Sequence, residues 1–193
     1  MATSWDAVRR ALVHQGPGSD AGNARRAAVA LVLRDGATGL ELLFIRRSEH
    51  PQDPWSGQMA FPGGRAEPGD TDLRMTAIRE TAEELALDLA ADAEYLGQLE
   101  DVQAMARLRP MNLIIRPFVF RLSRAAELRL SDEVTSVHWI PLDPLLGDAL
   151  RSTFEYEHEG VAMEFPCLRV EEVVIWGLTY RMFRSFESRI ASS

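Results

Sequence analysis

Lysine is absent from this sequence: all 21 basic residues among the 193 are arginine. Schiff-base catalysis and the Walker-type phosphate loop both need a lysine amine, so both are excluded. Every cationic contact to a ligand must come from Arg, His or a backbone N–H. Genomic base composition is the simplest origin of the deficit. Cysteine is nearly absent too. Cys167 stands alone, which excludes an intramolecular disulfide and a cysteine-based zinc cluster, and it reads as a small buried residue. The four histidines, His14, His50, His138 and His158, show no metal-ligand spacing. No apolar run approaches the ~20 residues that span a bilayer, and the N-terminus shows no signal-peptide core. A soluble cytoplasmic protein with no membrane partner is the expectation.

What is present is ordinary for a globular chain: 46% hydrophobic and 26% charged residues. The length suits one domain over residues 1–193. A net charge of −8 argues against a nucleic-acid partner. It is also what a cluster of metal-binding carboxylates leaves when no metal is bound.

Ser4 is placed to cap a helix from Trp5 to His14, and the N-terminal helical region extends over residues 1–23, with a loop from Gln15 to Asn23. Arg26 to Arg34 is a nearly continuous apolar run and predicts a buried strand. Asp35-Gly36 marks a turn into a second strand, Leu40 to Arg46. Arg47 to Ser56 is polar and proline-containing, a functional loop. Gly57 to Phe61 suggests a short strand before a Pro62-Gly63-Gly64 turn. Further strands are expected at Glu94–Leu99, Met111–Leu122 and Glu133–Ile140, with an edge or bulge at Pro117. Glu100 to Pro110 reads as a loop. Pro141–Leu150 suits a short helix, Arg151–Phe165 a hairpin about Glu159-Gly160, and Val173–Ile190 a closing helix. The mixture predicts an α/β or α+β fold.

The stretch from Phe61 to Leu87 carries the chemistry. A glycine turn leads into a helix in which Glu80, Glu83 and Glu84 stand at i, i+3 and i+4, on one face. Met75, Ile78, Ala82 and Leu85 fall roughly opposite and are expected to pack on a core. Like charges at this spacing repel, and a divalent cation removes the conflict; a solvated acidic face has the same pattern. Hard divalent ions take oxygen ligands and bridge carboxylates to phosphates. They neutralise anionic charge and acidify bound water.

Gly64, Asp70 and Arg79-Glu80-Thr81-Ala82-Glu83-Glu84 together resemble the Nudix box, G-x5-E-x7-R-E-U-x-E-E-x-G-U, over residues 64–87. Asp70 replaces the first Glu with one extra residue before Arg79, and Ala86 stands at the final Gly. These departures, with Leu42–Ser48, Gly57–Gly64 and Ile175–Thr179, resemble the coenzyme A diphosphatase branch. The resemblance implies an α/β/α sandwich with a mixed central sheet. It implies a Mg²⁺- or Mn²⁺-dependent hydrolase that cleaves the diphosphate linkage of a nucleoside diphosphate derivative, such as coenzyme A, through metal-activated water. Glu80, Glu83 and Glu84 are then the metal ligands. Glu83, Glu84 and Arg79 form the catalytic set, with Arg79 holding a box carboxylate. Glu133 is ranked first as general base, ahead of a box Glu, Glu100 or Asp101. Arg46, Arg47, Trp55, Gly63 and Gly64 are expected at the substrate. Family members are often dimers, and the apolar C-terminal helix is compatible with a homodimer or a monomer core.

Gln52 stands where the branch signature has Arg, and Gly57 comes one residue late. The alternative substrates are therefore an ADP-sugar, a dinucleoside polyphosphate or an oxidised nucleotide. A non-catalytic nucleotide-binding Nudix protein is the further alternative, disfavoured because all three box glutamates remain.

Overall fold

The computed structural model describes residues 2–13, 24–106, 109–158 and 160–193. The expected loop from Gln15 to Asn23 and the helix's last residue, His14, lie outside that set. The helix α1 spans Trp5–Leu12, with the Ser4 hydroxyl accepting from the Ala7 N–H.

The centre of the molecule is strand β1, Arg25–Asp35. It makes an antiparallel hairpin with β2, Leu40–Arg47, and runs parallel to β7, Arg109–Leu122. β7 in turn pairs with β5, Ala93–Gln98, and β6, Val102–Ala106. β2 pairs with β3, Met59–Ala60, and with β8, Val134–Pro141. One parallel pair among antiparallel ones makes the sheet mixed, as expected. Alternate residues of β1 supply two cores. Val29, Leu31 and Leu33 face α1 and the C-terminal helix α5, Gly177–Ala191; Ala28, Ala30 and Val32 face the acidic helix α2, Leu73–Leu85. Burial on both faces explains why β1 reads as a continuous apolar run. The result is the layered α/β/α architecture.

Several expectations need correction. The Pro62-Gly63-Gly64 turn is a strand from its first glycine onward: β4, Gly63–Arg65, pairs with β1 at Val29, Ala28 and Ala27. The Glu100–Pro110 loop contains β6, whose register with β7 shifts between Gln103 and Met105. Pro117 is where β7 changes neighbour. Ile115 pairs with Val102 of β6, Phe118 pairs with Gln98 of β5, and the Pro117 carbonyl accepts from the Leu99 N–H. A residue without an N–H suits that gap. The closing helix begins later than expected. Val173–Trp176 is strand β11, paired with β10, Val161–Val170, which pairs with β9, Arg151–His158. Gly177, at φ 60°, makes the change from strand to helix. Short helices α3, Leu89–Asp92, and α4, Leu142–Leu146, complete the chain. Among the described residues no helix is long and apolar enough to cross a membrane.

Candidate active site

Helix α2 starts at Asp72, whose carboxylate accepts from the Met75 N–H. It ends at Ala86, which takes the left-handed conformation at φ 55°. Its buried residues are Thr76, Ala77, Thr81, Glu84 and Leu85. This differs from the expected apolar stripe, because Met75 and Ala82 are exposed. Small side chains on the inner face bring the helix close to β1 and β4, and they rotate part of the acidic row inward.

The three glutamates consequently have three environments. Glu84 is 3% exposed, and its Oε2 accepts from the Gly63 N–H at 2.9 Å. Burial pushes its carboxyl up to about 8; the Gly63 N–H and Arg47 pull the other way, while Glu80 and Glu133 add to the rise. Glu80 is half-buried and also raised, chiefly by burial, against the pull of Arg79 and with smaller additions from Glu83 and Glu133. Glu83 is exposed and bonds outward to Arg79 at 3.1 Å.

Arg79 is the hub of the box. Its guanidinium forks onto Asp70, Nε to Oδ1 at 3.0 Å and Nη2 to Oδ2 at 3.1 Å. It also donates to the Arg65 carbonyl and lies 3.1 Å from Glu80. Asp70 accepts further bonds from Thr76 Oγ1 and the Glu67 N–H, and the Arg79 pairing holds its carboxyl well below the usual range. Arg79 thus engages Glu80 and Glu83 but leaves Glu84 to the backbone of β4.

The two glycines act by close approach. A Cβ on Gly63, at φ 149°, would lie 2.2 Å from the Ala28 carbonyl oxygen of β1. A Cβ on Gly64 would lie 2.4 Å from the Glu80 carboxyl carbon. Of the two, only Gly63 takes a positive φ.

Glu133 reaches this region through the segment before β8. The Arg129 and Ser131 N–H groups donate to the Leu85 and Glu84 carbonyls at the end of α2. The Glu133 carbonyl then accepts from the Ser48 N–H. The other two carboxylates weighed as a base are engaged elsewhere. Asp101 pairs with Arg26 and Arg116, and Glu100 with Arg189 and Ser185 of α5.

A cleft of about 390 Å³ opens beside β4. Arg47, Trp55, Gly63 and Gly64 line it, as do His50, Gln58 and Arg65. Arg46 lies outside this lining, and its guanidinium donates to the Gly57 carbonyl. Arg47 is tied to Asp53, two of its nitrogens lying 2.9 and 2.7 Å from one carboxylate oxygen. Trp55 donates its indole N–H to the Met105 carbonyl at 3.1 Å. Thr179 of α5 lines the cleft and bonds the Met59 carbonyl. Asp53 and Thr179 were not singled out from the sequence. Asp53 has no periodic signal, and Thr179 sits in the Ile175–Thr179 stretch that carried only a resemblance.

The donor set suits a hard divalent ion: carboxylate oxygens, two of them raised by burial and mutual repulsion. Among the described residues no three His, Cys, Asp or Glu side chains already converge as a metal cage. Arg79 occupies Glu80 and Glu83 instead, so the donors have the right chemistry while two of them are held by a cation.

A model of the NUDIX domain family matches residues 24–161. An uncharacterized Nudix hydrolase, NudL, from Yersinia enterocolitica is 32% identical over 177 residues, spanning 90% of this chain and 86% of its own length. An uncharacterized protein of Schizosaccharomyces pombe is 39% identical over 108 residues, 54% of this chain and 33% of its own length. Among solved structures, a MutT/nudix family protein from Enterococcus faecalis superposes with a TM-score of 0.57 at 18% identity, covering 93% of this chain and 66% of that one. The binary complex of a C. elegans Ap4A hydrolase gives 0.52 at 24% identity, covering 63% and 83%. At these identities the solved structures establish the fold.

Proposed function

The chain belongs to the Nudix hydrolase family, and from that premise we propose a divalent-metal-dependent diphosphatase whose substrate is coenzyme A or a related nucleoside diphosphate derivative. Nudix hydrolases act on nucleoside diphosphate derivatives and generally use Mg²⁺ or Mn²⁺. Glu80, Glu83 and Glu84 are the residues that would hold the ion. When bound, the ion supplies charge neutralisation for the diphosphate and lowers the pKa of water.

The chain's own residues do the rest. Glu84 gives an oxygen ligand fixed by the Gly63 N–H on a rigid helix. Arg79, clamped by Asp70, is a positioning residue that sets Glu80 and Glu83. Glu133, whose charge is felt at both Glu80 and Glu84, takes the proton of the attacking water as general base. Arg47 meets the diphosphate, and Trp55 offers an aromatic face to the organic part of the substrate. Gly63 and Gly64 line the cleft at the substrate, and their missing Cβ atoms let β4 lie against β1 and the Glu80 carboxyl.

The observation that carries this reading is the buried Glu84 carboxylate, which feels the charges of Glu80 and Glu133 and is bonded to the Gly63 N–H of a strand whose two glycines line an open cleft. An uncompensated cluster of this kind costs stability unless a cation completes it. The test is a panel of diphosphates with Mg²⁺ and Mn²⁺, read by product mass. For coenzyme A the expected products are a nucleoside 3′,5′-bisphosphate and 4′-phosphopantetheine. Glu84→Gln is expected to lower kcat at least ~100-fold while the fold is retained. An unchanged rate on a cleaved substrate would overturn the reading.

A second reading, an ADP-sugar or similar diphosphate without an extra phosphate, draws support from the Arg47–Asp53 pair. Gln52 removes one cation from the loop, and Asp53 already neutralises Arg47. Cleavage of ADP-sugars with no action on coenzyme A would favour it.

A further inference from the structure

Asp53 bonds two residues assigned to the substrate, Arg47 and Trp55. Its Oδ2 accepts from Nε and Nη2 of Arg47, at 2.9 and 2.7 Å, and its Oδ1 accepts from the Trp55 N–H at 3.0 Å. All three residues line the cleft. The backbone braces the same loop. The Asp53 N–H donates to the His50 carbonyl and the Ser56 N–H to the Asp53 carbonyl. The Arg47 N–H donates to the Gln58 carbonyl and closes the loop at its base. The register of β2 with β8 shifts between Arg46 and Arg47. An irregularity of this kind re-aims side chains at a strand end. Arg46 bonds the Gly57 carbonyl outside the cleft lining, while the Arg47 charge is felt at Glu84.

We propose that Asp53 is a positioning residue for diphosphate binding: it holds the Arg47 guanidinium in the orientation in which it meets a phosphate. This assignment rests on the diphosphatase reading of the cleft.

Arg47 is held, not exhausted. A guanidinium carries five N–H donors. Asp53 takes the edge formed by Nε and Nη2, and the Nη1 hydrogens go to no described residue. A phosphate can bind the remaining edge while the pair stays intact, and Arg keeps its charge throughout. Without the carboxylate, the long side chain would lose rotamer freedom as the substrate binds; ordering it beforehand removes that loss from the binding step. Asp53 is itself fixed by the Trp55 N–H, so the hold is rigid. Arg47 is 27% exposed and Asp53 16%, so salt screens the pair less than one at the open surface. A carboxylate that only cancelled the Arg47 charge would act with the opposite sign, and its removal would tighten anion binding.

A double-mutant cycle tests the role, with α,β-methylene adenosine diphosphate and Mg²⁺ as the probe. Its P–C–P bridge resists hydrolysis, so calorimetry reads affinity apart from turnover. Arg47→Ala should weaken binding at least ~10-fold, and Asp53→Ala about 5- to 10-fold. In the Arg47→Ala background, Asp53→Ala should add less than about twofold, because the carboxylate then has nothing to hold. On a cleaved substrate the Asp53→Ala loss should fall on KM, with kcat kept within about threefold. Asp53→Asn, which keeps an acceptor for the Trp55 N–H, should also weaken binding and replaces the alanine variant if that one fails to fold.

Equal or tighter binding by Asp53→Ala overturns the proposal. So does a loss of the same size in both Arg47 backgrounds, since Asp53 would then act on the loop alone. Wild-type affinity in Arg47→Ala overturns it too, because Arg47 would meet no phosphate. Absence of hydrolysis across the diphosphate panel, with the coupling between the two residues intact, would count against the diphosphatase reading and leave the role of Asp53 standing.

Discussion

Glu84 and Asp70 are carboxylates in the same box with opposite behaviour. Burial raises Glu84 to about 8, so folding favours its neutral form. Its contribution is fully present below the unfolded value near 4.5 and is lost as pH rises through about 8. With a chelator present, stability measured by urea unfolding should fall between pH 5 and 8.5, by up to ~4 kcal/mol, and Glu84→Gln should flatten that slope. Asp70 is lowered, chiefly by its hydrogen bond to Arg79. Its contribution is present above pH ~4 and is lost only as pH falls further. Gly64 gives a sharper test, because its missing Cβ is room for the Glu80 carboxyl. Gly64→Ala should lower kcat at least ~10-fold with little change in unfolding, whereas Gly63→Ala, whose Cβ meets the backbone of β1, should cost more than ~2 kcal/mol. Measuring activity and unfolding together separates the two.

Helix α2 shows how far local pattern reaches. The spacing of Arg79, Glu80, Glu83 and Glu84 identified the box, because a motif is a local property of the chain. The inner face is read only in part: Leu85 is buried and Ile78 packs on the core as expected, but Met75 and Ala82 are exposed while Thr76, Thr81 and Glu84 are buried. Thr81 bonds the Ala77 carbonyl and Thr76 bonds Asp70, so polar groups fit inside once partnered. No periodicity encodes a partner supplied by another strand, such as the Gly63 N–H for Glu84. The same limit hid β6, whose Val102–Ala106 reads as loop until β7 lies beside it. Val173–Trp176 merged with the α5 stripe, although Gly177 was the available signal for a break. At the helix end, Ala86 adopts φ 55° where glycine is favoured. Ala86→Gly should stabilise the protein by about 0.5–1 kcal/mol, seen as a Tm higher by roughly 2 °C.

At the scale of the whole molecule, the chain carries eight more acidic than basic residues, and Glu80 and Glu133 repel the buried Glu84. A cation that binds only the folded state raises stability by mass action. Mg²⁺ at about a hundredfold its Kd should add roughly 2–3 kcal/mol, or a Tm rise of about 5–10 °C. Protons compete for Glu84, so the rise should be larger at pH 9 than at pH 6, and Glu84→Gln should nearly abolish it. Differential scanning calorimetry with and without Mg²⁺ decides the matter. The layered architecture came through the family resemblance, while the residues themselves showed β1 as a buried strand in a mixed α/β or α+β chain. The three-stranded sheet was legible only in part, since β9 and the start of β10 form the recognised hairpin while β11 does not.

The pairing of β4 with β1 has a further consequence, expressed in time. The Ala30 N–H of the central strand donates to the Pro62 carbonyl, and the Gly63 N–H donates to the Glu84 carboxylate of α2. Their amide hydrogens should exchange with deuterated solvent only when the whole sheet opens. The Asp53 and Ser56 N–H groups, bonded only within their own loop, should exchange through brief local openings. The chain would then keep two clocks side by side: a slow one for the strand that holds Glu84, and a fast one for the loop that carries Asp53 and Ser56.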